Sequence, residues 1–226
     1  MKKVIIIVGV CLTLLVAALG CGGSKDTHKM DMKIGVSALV ALADNHIESY
    51  TNAMEPLAMT QEVQSTNWEE MVAILSKVEQ TQVEGIEWYV LPDGSYYTIE
   101  LGKTNKNLSD RPYFPSLMAG NKVLGDLLVS KATGKMSLMA AVPVKREGEV
   151  VAGLGVSIFL DDLSTTLAGE LQLPDDMVFY ATNEEGTVAL HSDTELIFTE
   201  NPDPPKDVVF ETSPLTGWRF ALGFKD

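Results

Sequence analysis

The chain has 226 residues, 46% hydrophobic and 21% charged, which is a globular composition and excludes a disordered tail. Its 17 Lys and Arg against 31 Asp and Glu leave a net charge of −14, a field that repels nucleic acid. Two cysteines exclude a disulfide framework and any zinc site built on several thiolates.

Lys2 and Lys3 form a basic start, Val4 to Leu19 is an apolar run, and Ala18-Leu19-Gly20-Cys21-Gly22-Gly23-Ser24 ends it in small residues. The run is shorter than the roughly 20 residues that span a bilayer, so it reads as an export signal over 1–20. The junction resembles the lipobox of bacterial lipoproteins, with Ala18 where that motif usually carries Leu. The resemblance implies acylation of Cys21 and a membrane anchor on the extracytoplasmic side. The alternative is an ordinary signal peptide or signal anchor with an incidental cysteine. Residues 21–33 read as a tether. After the signal, no apolar stretch is long enough to cross a membrane.

From Met32, apolar residues at Val36, Leu39, Ala43, Ile47, Tyr50, Met54 and Leu57 fall in steps of three and four, which predicts a long amphipathic helix. Pro56 is expected to bend or end it. Thr66 or Asn67, answered by a glutamate three residues on, caps a second helix with the stripe Trp68, Met71, Val72 and Leu75. The period then changes to two. Ile86–Leu91 and Tyr96–Leu101 flank Pro92-Asp93-Gly94-Ser95 as a hairpin. Gly102 to Pro112 reads as a polar loop. Strands follow over 125–130, 136–145 and 149–160, then a helix opening at Asp161 and stopping before Pro174. Met177–Thr182, Thr187–His191, Val208–Thr212 and Trp218–Phe224 predict a thin second sheet packed on the larger unit. The whole is α+β, with about five antiparallel strands covered by helices on one face and a small C-terminal β unit.

Asp110-Arg111-Pro112-Tyr113-Phe114, Thr133-Gly134-Lys135, Ala141-Val142-Pro143-Val144 and Gly153-Leu154-Gly155-Val156 resemble the Cache domain, a PAS-like extracellular sensor module of bacterial chemoreceptors and histidine kinases. The resemblance implies a ligand-binding domain over 34–172. It also implies that 173–226, with Asn183-Glu184-Glu185-Gly186-Thr187 and Gly217-Trp218, is a truncated membrane-proximal module of the double-Cache type. Physical chemistry gives the Arg-Pro-Tyr-Phe segment a role independently. A guanidinium fork beside aromatic walls suits a planar carboxylate, and in an acidic protein it makes a local positive well. The bland alternative is a salt bridge from Arg111 to Asp110 or Glu100. Arg111 and Tyr113 are the leading ligand-contact candidates; Tyr97, Ser130 and Ser137 follow by strand position. Amino-acid-binding members of the family carry an aromatic five residues before the arginine and an acid in the following strand. Lys106 and Ser130 stand in those places here, with Asp126 the substitute if the register is displaced. A small organic anion is therefore expected in preference to an α-amino acid.

Enzymatic motifs do not emerge. His191-Ser192-Asp193 has the letters of a hydrolase triad, but neighbours on a strand point to opposite faces. Gly153-Leu154-Gly155 lacks the third glycine of a dinucleotide loop. The three histidines lack metal-ligand spacing, and no cofactor motif is present. The sequence thus points to a lipid-anchored, extracytoplasmic sensor for a small anion, acting through a membrane receptor or kinase. The competing reading is an envelope structural or assembly lipoprotein with no ligand.

Overall fold

The computed structural model describes residues 25–79 and 85–225. Residues 1–20, read from the sequence as an export signal, and Cys21 lie outside them. The first element is the long helix α1 (Lys25–Ala58), so residues 25–33, read as tether, continue the helix. No glycine or proline interrupts that stretch, and propensity carries the helix back to Lys25. The expected stripe is buried, with Leu39, Ala43 and Ile47 fully inaccessible. Pro56 lies inside the helix, two residues before its end. Its missing N–H costs only a last-turn hydrogen bond there, and Met59 and Thr60 close the end by donating to the Pro56 and Leu57 carbonyls.

A short turn of helix, α2 (Gln61–Gln64), precedes α3 (Trp68–Glu79). Asn67 caps α3: its Oδ1 accepts from the Glu69 amide and its Nδ2 donates to Glu70, while its own amide donates to Ser65 Oγ instead of to the glutamate of a full capping box. Six strands form the first sheet: β1 (Gly85–Val90), β2 (Ser95–Thr98), β3 (Gly102–Asn107), β4 (Val123–Val129), β5 (Met136–Arg146) and β6 (Glu149–Phe159), in the order β3-β2-β1-β6-β5-β4. The sequence reading gave five. The missing strand is β3, taken for a loop. It is a polar edge strand with neither face deeply buried, so no alternation marks it, and its lysines suit an unpaired edge.

A one-turn helix, α4 (Phe114–Met118), sits in the connector between β3 and β4; α5 (Leu160–Glu170) leads to the second sheet. That sheet comprises β7 (Met177–Thr182), β8 (Val188–His191), β9 (Lys206–Thr212) and β10 (Arg219–Phe224), in the order β8-β7-β10-β9. One hydrophobic core runs between α1 and both sheets, joining Leu39 and Ile47 to Leu138, Leu154 and Val156 of the first sheet and Phe179, Phe220 and Leu222 of the second. Alternation along β5 and β6 sends the intervening residues to the other face. There Trp88, Tyr96, Leu108, Tyr113, Phe114, Met139 and Ala141 form a separate, aromatic-rich cluster beneath the connector.

Candidate functional site

The aromatic cluster encloses a hollow. Its floor is the sheet face away from α1: Trp88 of β1, Tyr96 of β2, Leu128 of β4, Met139 of β5 and Ser157 of β6. Gly155 makes room for the Trp88 ring lying over it; a Cβ at 155 would stand 2.3 Å from a ring carbon. Tyr113 stacks on Trp88, ring centroids 5.8 Å apart, and closes the side wall. Burial pushes the Tyr113 phenol well above its ordinary pKa, so it stays a neutral donor.

Arg111 reaches the hollow from the connector. Its Nη2 donates to the Val129 carbonyl at 2.6 Å. Among the described residues no carboxylate lies within ion-pair distance of it. Asp110, the neighbour that could have neutralised it, pairs with Lys131 Nζ at 2.5 Å instead. That bond holds the Asp110 carboxyl below its ordinary pKa. The hydroxyl of Tyr96 is buried at the same hollow, where its one polar side-chain neighbour is Thr104, at a geometry too poor for an ordinary hydrogen bond. Burial pushes it, too, above the usual phenol range. A buried polar atom without a well-aligned partner is uncommon and marks a place built for a water or a ligand.

The roof is the turn between β4 and β5. Lys131 donates to the Asn107 carbonyl as well as to Asp110, and Lys106 donates back to the Lys131 carbonyl. Beneath this latch the hollow holds about 20 Å³, the room of a single water. Outside it an open groove of about 950 Å³ runs past Lys106, Asp110 and Lys131. Arg111 and Ser130 line both spaces.

Arg111, Tyr113 and Ser130 are thus brought together. Ser130 also shapes the roof, its hydroxyl accepting from the Thr133 amide. Tyr97 is not brought there. It stacks on Trp68 with centroids 5.0 Å apart, on the helix side of the sheet, while Tyr96 faces the hollow. Adjacent strand residues face opposite ways, so one step along β2 changes the answer. Ser137 is buried and donates to the Lys135 carbonyl, apart from the residues that line the hollow. Lys106, where an aromatic was expected of an amino-acid site, ties the roof. A bulge at Gly125, whose φ is 105°, shifts the register of β4 so that Asp126 pairs with Met139 on the hollow's face. Asp126 does not line the hollow itself. Trp88, Tyr96, Met139 and Ser157 were missed; the alternation of β1 and β2 was the signal available for the first two.

Solved structures with this architecture are ligand-binding domains of bacterial sensors. The domain of the Pseudomonas fluorescens chemoreceptor CtaA, in complex with L-valine, superposes with a TM-score of 0.70 at 14% identity, covering 89% of this chain and 99% of that one. The Pseudomonas aeruginosa amino acid chemoreceptor PctB, in complex with L-Arg, gives 0.69 at 14% identity over 86% of this chain and 87% of that one. The sensor domain of the V. cholerae histidine kinase DctB gives 0.62 at 15% identity over 89% and 97%. This is a Cache-type sensor fold. No family model and no curated protein sequence matches the chain. In this chain the long helix and the connector take opposite faces of the first sheet, which sets a solid core against a hollow.

The triad letters are dispersed by the fold. Ser192 Oγ accepts from the Phe179 amide, and His191 Nδ1 accepts from the Asp193 amide at 2.8 Å. Among the described residues no three His, Cys, Asp or Glu side chains gather as metal ligands, and no helix is long and apolar enough to cross a membrane.

Proposed function

We propose that the chain is an extracytoplasmic sensor module that binds a small organic anion at Arg111. The observation that carries this reading is the pairing, at one hollow, of a guanidinium free of any carboxylate partner among the described residues with a buried Tyr96 hydroxyl that has only a poorly aligned Thr104 beside it. The Val129 carbonyl occupies the place that a ligand carboxylate oxygen would take on the Arg111 fork. A carboxylate arriving through the outer groove displaces that carbonyl, accepts from Arg111 and Tyr96, and rests its apolar part on Trp88 and Tyr113. The roof turn, tied to Arg111 through Val129 and latched by Lys131, must then re-seat. Ligand affinity therefore differs between latched and unlatched states, which is what a sensor requires.

The sensor fold supports a binding role over an enzymatic one. Anchoring through acylated Cys21, a truncated second module of the double-Cache type, and output through a membrane receptor or kinase complete the proposal. Replacement of Cys21 by Ala is expected to release the protein from the membrane fraction.

The 20 Å³ hollow favours a second reading, an envelope lipoprotein whose pocket has closed for good. A thermal-shift panel of organic acids separates the two. A binder gains melting temperature by mass action, by about 2.7 kcal/mol of stability at a hundredfold excess over Kd, and Arg111→Ala removes the gain. No shift with any acid would establish the scaffold reading, and a shift unchanged in Arg111→Ala would place the site elsewhere.

A further inference from the structure

The second sheet repeats the first in abbreviated form. In β2-β1-β6-β5 and in β8-β7-β10-β9, the first strand lies between the second and the last, and the last lies beside its predecessor. In both sheets one face packs on the core shared with α1. The opposite face of the second sheet carries Tyr180, Thr182, Phe210 and Arg219. The register fixes this, since Tyr180 and Phe210 both pair with Ala221, and Thr182 pairs with Arg219. These four residues line a groove of about 480 Å³ between the turn after β7 and the loop before β9. Its volume is in the range of small-molecule sites.

Arg219 sits over the face of Phe210, its guanidinium carbon 3.8 Å from the ring centroid. A guanidinium held over a ring face by this contact can still turn its N–H edges to a planar acceptor. Among the described residues no carboxylate reaches ion-pair distance of Arg219. Tyr180 stands on the same floor, braced by the parallel ring of His191 with centroids 6.1 Å apart. The arrangement parallels the first site's chemistry: an arginine with no carboxylate partner among the described residues, a tyrosine and an apolar floor. Glu184 contributes a carboxylate to the groove's lining, which opposes a second negative charge on any occupant.

We propose that this groove is a second ligand site, for a small monocarboxylate, in which Arg219 takes the carboxylate and Phe210 with Tyr180 the apolar part. The test uses propionate and malonate as probes on the exported chain carrying Arg111→Ala, read by backbone amide NMR shifts at constant ionic strength. Propionate is expected to shift amides of β7, β9 and β10 saturably. Arg219→Ala is expected to abolish those shifts with the spectrum outside the groove unchanged, and Arg219→Lys to weaken binding about tenfold, since the charge survives and the fork does not. Malonate is expected to bind at least about tenfold more weakly than propionate. Shifts that rise linearly without saturation, or that persist in Arg219→Ala, would overturn the site; equal binding of malonate would overturn its charge selection. Because the first site is disabled throughout, failure here leaves the reading of Arg111 intact.

Discussion

On the α1 side of the first sheet, β5 and β6 present Leu138, Ala140, Val142, Leu154 and Val156, all essentially inaccessible. On the other side the same strands present Met139, Ser157 and two glycines, beside Trp88, Tyr96, Tyr113 and a guanidinium. One face is filled by aliphatic side chains that interdigitate with a helix. The other is lined by rings that leave a gap, with polar groups aimed into it. Alternating strands can thus give one face to stability and, under the proposed function, the other to recognition, and substitutions should then sort accordingly.

The largest effect is expected on the helix side. Leu39→Ala removes a fully buried side chain from the centre of the core and should cost about 2–5 kcal/mol, read by urea unfolding. Arg111→Ala should leave the unfolding midpoint nearly unchanged while abolishing ligand-induced stabilisation. A Leu39→Ala chain that unfolds like the wild type would erase the division between the faces.

Gly155→Ala tests the hollow's floor. The added methyl collides with the Trp88 ring, which can yield only into the hollow. We expect a loss of about 1–3 kcal/mol from overpacking, together with loss of the thermal shift. Retained binding in this variant would show that the ligand does not rest on Trp88.

The third contrast compares neighbours. Tyr96→Phe removes a buried hydroxyl whose one side-chain neighbour, Thr104, is poorly aligned, so the unliganded protein should change by less than about 1 kcal/mol, while the ligand binds several-fold more weakly. Tyr97→Phe, on the Trp68 side, should leave affinity untouched. Calorimetric titration of both variants with the best acid of the panel decides between them.

That pair also shows what was legible in the sequence. The helix stripe, the β5–β6 hairpin and the thin second sheet were readable because burial on one face imposes a period on the residues. The placing of Arg111 and Tyr113 together was readable because proline and aromatic residues stiffen a connector around a cation. Tyr96 was exchanged for Tyr97 because both neighbours are tyrosines, and hydrophobicity alone cannot orient a strand flanked by two buried faces. The edge strand β3 carried no periodic signal, having no buried face to write one. The roof latch was hidden for another reason. Lys131 bonds to the Asn107 carbonyl and Asp110, distant in sequence, and nothing local in a lysine announces such partners.

The smallest effect concerns Asp126, brought onto the hollow's face by the bulge at Gly125. Burial raises its carboxyl pKa above the ordinary aspartate range. The folded protein therefore holds this proton at pH values where the unfolded chain has released it. Stability contributed by Asp126 is present below the unfolded pKa and is lost as pH rises through the folded one. Asp126→Asn removes that loss. Because the group is partly exposed, solvent screening limits the gain at neutral pH to about a few tenths of a kcal/mol. Unfolding midpoints of wild type and Asp126→Asn should converge as pH falls toward the unfolded pKa and separate above it, with the variant the more stable. Separation in the opposite sense would mean that the carboxylate is held by a cationic partner, and the hollow would then offer an anion less positive potential than Arg111 alone implies.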